Sequence, residues 1–305
     1  MKTLSSLVAL LAFGMPCFAS GPEAAGSRFT DWSAPTNVSS VNTKYGESAP
    51  AISKNGLSLY FASNRPGSID EADLWVAQRS SVDDPWGVAF NLYMLNSDAF
   101  DQSPALSRDE HYLFFATGRP GGQGGLDIWV SHREQIHDDL GWETPVPITE
   151  INSSVNDAGP TYFENEGGRP QLYFQSQRAG GAGQADIYVS EQQEDGTWGA
   201  PQRVAELSTK FQEQRPSIRF DGLEIVFQSN RTSSLGFDLW VSTRASVTDV
   251  WSAPVRVENV NSPQTDAQPY LSGDGMTLYF SSNRSGGAGG NDLWLSTRQR
   301  RHGNE

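Results

Sequence analysis

Five acidic residues recur along the chain, each three positions before a proline, and glycoside hydrolases use paired carboxylates as acid and as base or nucleophile. The five residues are Glu47, Asp101, Asp157, Glu213 and Asp266. Three roles are open for this set, which we call the acidic ring. Its carboxylates could accept backbone N–H bonds from a neighbouring unit, gather a cation or a ligand's hydroxyl groups, or supply a catalytic pair from Asp101, Asp157 or Glu213.

Two further sets of charged residues repeat at matching positions. The inner arginines are Arg65, Arg119, Arg178, Arg231 and Arg284, and the outer aspartates are Asp73, Asp127, Asp186, Asp238 and Asp292. The arginine and the aspartate of each copy lie on either side of one glycine-rich loop. We therefore expect a bidentate ion pair in each copy, with a structural role.

A ligand-specific site should lie where the repeat is broken, because an asymmetric ligand needs unequal groups. Arg215 replaces the Ala49, Ser103, Gly159 and Gln268 of the other copies, and Arg219 replaces Ser53, Ser107 and Ser272. Three aromatic residues, Tyr45, Phe100 and Phe211, come one or two positions before the acidic residue of their copies. They could stack on sugars beside the acidic ring, or they could pack between repeats.

Other catalytic signatures are missing from the sequence, which has four histidines in no metal-ligand spacing. The loops 121–127 and 286–292 resemble calcium-binding Gly-Gly-x-Gly-x-Asp nonapeptides, but the aspartate comes one place late. We expect these glycines to serve the turn. The sequence thus predicts no cofactor, with calcium as the alternative.

The elements that must position these residues come from an internal repeat marked by Pro50, Pro104, Pro160, Pro216 and Pro269, spaced 54, 56, 56 and 53 residues apart. Each copy contains two short apolar runs typical of strands. The first runs are 57–63, 112–117, 172–176, 224–229 and 277–282, and the second are 73–77, 127–131, 186–190, 238–242 and 292–296. Asn-Gly and Asp-Gly pairs before three of the first runs indicate hairpin turns.

A fourth strand is predicted to open at Trp86, Trp142, Trp198 and Trp251, but the fifth copy ends without one. The missing piece lies at the other end of the chain, where residues 31–35 match 249–254 and Trp32 comes 54 residues before Trp86. An N-terminal strand therefore completes the last unit and leaves no open sheet edge. The sequence predicts an all-β, five-bladed β-propeller over residues 31–298, with four antiparallel strands per blade, a flexible segment 20–30 and a tail 299–305.

The phrases Asp274–Arg284 and Gly289–Trp294 look like the WD-repeat-like unit of TolB-type propellers. The unit is also similar to the propeller modules that accompany OmpA-like domains in envelope proteins. The resemblance covers nearly all of residues 31–298 and implies an interaction platform with no particular ligand. In such a ring the connection into each innermost strand and the glycine-rich loop open on one face, which we call the loop face. This is the usual ligand face, and we expect the acidic ring to form the channel mouth there.

The first nineteen residues have the layout of a secretory signal, with Lys2, an apolar run and cleavage after Ala19. Cleavage removes the only cysteine, Cys17, and no other apolar stretch is long enough to span a membrane. The formal net charge of −14 disfavours nucleic acid as a partner. We expect a periplasmic or secreted monomer.

These observations favour a protein that binds and does not catalyse, and that recognises an envelope protein or a glycan through its acidic face. The alternative is a glycan-active hydrolase or lyase that uses carboxylates of the acidic ring. Because these carboxylates recur in every copy, they behave as structural residues.

Overall fold

The computed structural model describes residues 28–69, 71–165, 168–231 and 236–301. The predicted signal, with its cleavage site after Ala19, lies outside these ranges. Within them the chain forms twenty strands and no helix, so none of the described segments is a candidate for a helical membrane span. The strands make five separate antiparallel sheets of four strands each.

Each blade is one sheet, and its strands are numbered from the centre of the ring outward. Blade one contains β2 (Glu47–Ile52), β3 (Ser58–Ser63), β4 (Asp73–Gln78) and β5 (Ala89–Asn91). Blade two contains β6 (Asp101–Leu106), β7 (Tyr112–Thr117), β8 (Asp127–His132) and β9 (Val146–Pro147). Blade three contains β10 (Asp157–Phe163), β11 (Gln171–Ser176), β12 (Asp186–Glu191) and β13 (Gln202–Arg203).

Blade four contains β14 (Glu213–Ile218), β15 (Glu224–Ser229), β16 (Asp238–Thr243) and β17 (Val255–Arg256). Blade five contains β18 (Asp266–Leu271), β19 (Thr277–Ser282) and β20 (Asp292–Thr297), completed by β1 (Thr36–Asn37). The predicted five-bladed propeller is therefore confirmed. The two apolar runs predicted as strands in each copy agree with the observed second and third strands to within one residue at each end.

The position of the tryptophans differs from the prediction. Trp86, Trp142 and Trp251 come before the outermost strands, in the loops that lead to them. Each stacks on an arginine at the end of the third strand, and the centroid of the Trp86 ring lies 4.1 Å from the guanidinium of Arg79. The tryptophans thus anchor loops, and the outermost strands are only two or three residues long.

The apolar core lies between neighbouring blades, because each sheet packs against one neighbouring blade on each of its two faces. One buried cluster joins Tyr60 and Leu74 of blade one to Leu113 and Phe115 of blade two. Equivalent clusters fill the other interfaces. This double coverage explains why the second strand of each blade is an almost continuous apolar run.

The N-terminal segment closes the ring as predicted. Thr36 lies opposite Leu295 and Asn37 opposite Trp294, and Trp32 packs with Trp294 in one apolar cluster. Phe29 also pairs with Arg300, and Arg301 donates a backbone hydrogen bond to Arg28. The paired region therefore extends beyond the predicted limits of 31–298.

Every innermost strand carries an irregularity at the residue before the repeat proline. The register of β2 against β3 shifts between Ser48 and Ala51, and the other four innermost strands shift at the same place. At each of these five irregularities one residue has a backbone conformation in the left-handed region, and these residues are Ala49, Ser103, Gly159, Arg215 and Gln268. We call these the pre-proline positions. The bulge re-aims one side chain per blade, which is a common use of such irregularities near functional sites.

Candidate functional site

The acidic ring is fully buried. Glu47, Asp101, Asp157, Glu213 and Asp266 all have 0% exposure. Each carboxylate accepts the backbone N–H of the residue four positions earlier, in the connection from the preceding blade, as Thr43 N donates to Glu47 Oε2 over 2.8 Å. The interpretation that these residues accept backbone bonds from a neighbouring unit is confirmed. The ring does not form an open acidic mouth.

The inner arginines complete this burial. Arg65, Arg119, Arg178, Arg231 and Arg284 each form an ion pair with the acidic-ring residue of their own blade. The Nη2 to Oδ1 distance is 2.7 Å for Arg178 and Asp157. Each guanidinium also lies between two aromatic rings, such as Phe61 and Trp75 around Arg65. The predicted pairing of these arginines with the outer aspartates is therefore wrong.

The outer aspartates have another task. In Asp73, Asp127, Asp186 and Asp292 the carboxylate accepts backbone N–H groups of the glycine-rich loop that precedes it. Asp238 forms a bidentate pair with Arg256 of the outermost strand, with both N to O distances 3.0 Å. Within the described ranges, no group of three or more acidic, histidine or cysteine residues could hold a metal ion.

The loop glycines serve close backbone approach between blades. A Cβ atom on Gly124 would lie 2.1 Å from the carbonyl oxygen of Val155, and one on Gly289 would lie 1.9 Å from that of Tyr45. Both contacts are far too short for a side chain. Gly121 and Gly286 of the same loops have positive φ, so the turn and the close packing together account for the glycine-rich sequence of these loops.

We predict that Asp101→Asn, Asp157→Asn and Asp266→Asn each lower the free energy of unfolding by about 1–3 kcal/mol, because each leaves a buried arginine without its countercharge. Urea denaturation of the three variants should give similar losses. If one variant instead abolished a ligand-dependent activity while keeping wild-type stability, that carboxylate would have a functional role and the structural assignment would be wrong.

A cavity of about 80 Å³ lies on the channel axis, away from the acidic ring. Its walls come from the second half of each innermost strand, and it extends from the pre-proline positions to the hairpin turns that follow these strands. It therefore lies toward the opposite end of the channel from the loop face. We call this end the turn face. The expectation that the ligand face is the loop face is not supported by the burial seen there.

The cavity walls differ strongly from blade to blade. The positions four residues after the repeat prolines, at the rim, hold Lys54, Arg108, Glu164, Phe220 and Gly273. We call these the mouth positions. No two of them are alike, whereas the acidic ring is nearly uniform. By the criterion that an asymmetric ligand needs unequal groups, the candidate site is this cavity.

Arg215 lies at the deep end of the cavity, as the one charged side chain among the pre-proline positions. Its Nη2 donates a hydrogen bond to the side chain of Gln102 in blade two, and its backbone N–H donates to Gln175 Oε1 over 3.1 Å. Its Nη1 has no hydrogen-bond partner among the described residues. Burial lowers the pKa of Arg215 to about 10, so the guanidinium stays charged at neutral pH.

Arg219 has a structural role, although its position also breaks the repeat. Its Nη1 bonds to Glu224 and its Nε to Asp221 over 2.8 Å, and its guanidinium lies over the ring of Phe29. It helps to fasten the N-terminal segment. It borders a neighbouring cavity, but its charge is balanced there.

The three aromatic candidates lie on the loop face and do not border the cavity. Tyr45, Phe100 and Phe211 are half-buried. A lysine amino group lies 5.3 Å from the ring centroid of Tyr45, and another lies at the same distance from that of Phe211. Their role in sugar stacking remains a prediction.

The sequence reasoning missed the mouth positions. Their signal was present in the sequence, because aligning the copies on their prolines shows that this column differs in every blade. What could not be read from the sequence was that the column surrounds the channel opening.

Comparison with known proteins supports the fold. The chain matches no protein-family model and no curated protein. Among solved structures, the α-L-arabinofuranosidase of Podospora anserina in complex with cellotriose is 13% identical, with 90% of this chain and 98% of that chain covered and a TM-score of 0.58. The α-L-arabinofuranosidase of Lactobacillus brevis is 13% identical, with 88% and 96% covered and a TM-score of 0.59.

A putative TolB of Agrobacterium tumefaciens is 15% identical, with 91% of this chain and 100% of that chain covered and a TM-score of 0.50. Several other matching structures are glycoside hydrolases, among them family 43 and family 62 enzymes. At these identities the likeness shows a shared fold. The resemblance to TolB-type propellers is thus supported in the fold, and none of these neighbours supports the WD-repeat description.

Proposed function

We propose that this chain binds a glycan in the central cavity, with the ligand entering from the turn face. The observation that carries the proposal is the asymmetry of the cavity walls, set against the buried and nearly uniform acidic ring. The mouth combines an aromatic ring, cationic groups and a carboxylate, a mixture suited to sugar rings with hydroxyl groups. Sugars are also named as ligands of neighbours in the structural comparison.

Phe220 is the aromatic platform of the proposed site. It is 38% exposed, and its ring lies against Gly273, where a Cβ atom would come within 2.3 Å of Phe220 Cδ2. The residue borders the central cavity and two larger cavities of about 670 and 470 Å³ at the rim. A sugar ring that leaves the narrow channel therefore meets an aromatic surface.

Hydrolysis of the bound glycan is a second candidate function, favoured by the number of glycoside hydrolases among the structural neighbours. The carboxylates at the cavity are Glu110 and Glu164, in place of Asp101, Asp157 and Glu213. Glu164 Oε2 accepts a hydrogen bond from the Tyr162 hydroxyl over 3.0 Å. Burial and the nearby Glu164 raise the pKa of Tyr162, so this hydroxyl stays protonated and can donate.

We predict that Phe220→Ala weakens glycan binding about tenfold, because the ring supplies roughly 1.4 kcal/mol of stacking and burial. Mature protein would first be screened on a glycan array, and affinities for the best ligand would be measured by calorimetry. The matched control is Phe90→Ala, since Phe90 is 52% exposed on blade one and does not border the cavity.

The same experiment separates the two candidate functions. New reducing ends, released from the bound glycan and lost in Glu164→Gln, would support hydrolysis. Binding without release would leave recognition as the function. If no glycan bound, or if Phe90→Ala and Phe220→Ala had equal effects, the proposed site would be wrong. The envelope-protein partner, the monomeric state and export from the cytoplasm remain predictions.

A further inference from the structure

Arg215 carries a positive charge that has no ion-pair partner among the described residues. The residue is 8% exposed, and no acidic side chain contributes to the shift of its pKa, whose only cause is burial. By contrast, the five inner arginines and the buried Arg133 and Arg219 are all ion-paired, as Arg119 is with Asp101. Burying a charged group without a countercharge is strongly unfavourable. The exception therefore points to a counterion that comes from outside the chain.

The side chain of Arg215 extends across the channel. A Cβ atom on Gly159 of blade three would lie 2.8 Å from Arg215 Cδ, so the stem passes directly over this glycine. The guanidinium then reaches Gln102 of blade two through Nη2. The glycine at this pre-proline position leaves the room that the arginine occupies. Arg215 is thus held across the deep end of the cavity, with Nη1 still free to donate.

A second polar atom is left over at the same level. Ser103 is the pre-proline residue of blade two and follows Gln102 directly. Its hydroxyl is buried and has no hydrogen-bond partner among the described residues. Ser103 and Arg215 both line the cavity. Two buried donors without acceptors, one of them cationic, form a site for an anion with at least two oxygen atoms.

We infer that the glycan bound at the turn face is acidic, and that its carboxylate enters the deep cavity to accept hydrogen bonds from Arg215 Nη1 and Ser103 Oγ. This inference rests on the proposed function. It adds the requirement that the ligand carry one negative charge, because a single guanidinium matches a monovalent anion. A divalent phosphate would bring a second charge without a partner.

The size of the cavity fits a carboxylate group and not a whole sugar ring. Its volume of about 80 Å³ is below the ~150 Å³ that accommodates a benzene ring, and it exceeds what a few water molecules need. A carboxylate fits within it, while the sugar ring stays at the rim beside Phe220. Around the rim and the adjacent cavity the walls carry six basic and four acidic side chains, although the whole chain has a net charge of −14. This local surplus favours the approach of an anion.

The test compares a trigalacturonate with its carboxyl-reduced counterpart, which has the same linkages and no charge. Calorimetry on the full mature chain should show at least tenfold tighter binding of the acidic form to wild type. Arg215→Gln should remove this preference by lowering the affinity for the acidic form to that for the reduced form. Ser103→Ala should diminish the preference. Arg203→Gln is the matched control, because it removes an equal charge from an exposed site on the outermost strand of blade three.

Folding is not expected to confuse the result. Removal of a buried unpaired charge should leave the melting temperature of Arg215→Gln equal to or above that of wild type. Equal binding of the two glycans by wild type would overturn the inference and leave the proposed function standing. Binding of free galacturonate through Arg215, without binding of any oligosaccharide, would support the anion site and overturn the proposed function. Preference for a sulfated oligosaccharide over the carboxylated one would overturn the carboxylate assignment.

Discussion

Deletion of residues 20–37 is expected to lower the melting temperature by about 10 °C or more. The deletion removes β1 and, with it, the partner of β20, together with Phe29 and Trp32. Phe29 lies over the guanidinium groups of Arg219 and Arg298, and loss of a buried aromatic side chain typically costs about 3–5 kcal/mol. The combined loss is at least about 5 kcal/mol. For a chain of this size, each kcal/mol lost lowers the melting temperature by roughly 2 °C. Differential scanning calorimetry gives the measurement.

The reference for this measurement is the chain that begins at Ser20, after the predicted cleavage site. Trp32→Ala should fall between the two, since it removes one side chain and keeps the backbone pairing. A deletion of 20–37 that melted like this reference would mean that the ring does not depend on its N-terminal strand.

The second large effect is expected for Asp139→Ala, which should lower the free energy of unfolding by about 3–5 kcal/mol. Asp139 Oδ1 accepts from Arg133 Nη1 over 2.7 Å, and Arg133 is completely buried between blades one and two. Tyr60 and Gln78 of blade one donate to the same carboxylate. Removing Asp139 leaves the guanidinium charged and without its countercharge at a blade interface. Urea denaturation checks the loss.

A surface ion pair offers the control. Arg169 and Glu194 are 2.8 Å apart and largely exposed, so Glu194→Ala should change the stability by less than about 1 kcal/mol. A loss for Asp139→Ala no larger than this would contradict the role assigned to the buried pair.

The effect of Asp139 should also depend on pH. Burial alone would raise the pKa of Asp139, but hydrogen bonds from Ser58, Tyr60, Gln78 and Arg133 together lower it below the ordinary aspartate value. A lowered pKa in the folded state means that the carboxylate stabilises the protein fully above the unfolded value of about 3.9, and that this contribution is lost as the pH falls through the folded pKa. The difference between wild type and Asp139→Ala should therefore shrink in that acidic range.

The fold could be predicted because its signals are local. Hairpin turns such as Asn55-Gly56 need positive φ at the glycine, and the alternation of turn and apolar run repeats with each proline. Closure of the ring could also be predicted from the sequence, since the segment around Trp32 repeats the sequence that precedes the outermost strand of blade four. Turn chemistry and strand composition are properties of neighbouring residues, and no tertiary contact was needed to interpret them.

The ion pairs could not be predicted in the same way, because they depend on register. Glu47 lies opposite Ser63, and Ser63 lies opposite Asp73, so all three belong to one row across the sheet. Arg65 bonds to Ser63 Oγ through its own Nε, which turns the guanidinium inward to Glu47 and away from Asp73. The short separation along the chain favoured Asp73 as the partner of Arg65. The direction of the Arg65 side chain pairs it with Glu47 instead.

The candidate site was half predictable. The broken repeat at Arg215 identified the residue, but the sequence did not show that the bulge before the proline turns this side chain across the channel. It also could not show which end of the channel stays open. That depends on the size of the side chains at the same level in all five blades.

The union of both chain ends in blade five also constrains how the protein is made. Thr36 and Leu295 bond across a sequence separation of 259, so the last sheet cannot assemble until nearly the whole chain has left the ribosome. Contacts between residues so far apart in sequence form slowly, because a long loop must close first. We expect ring closure to be the late and rate-limiting step of folding, with blades one to four already able to pair their own strands.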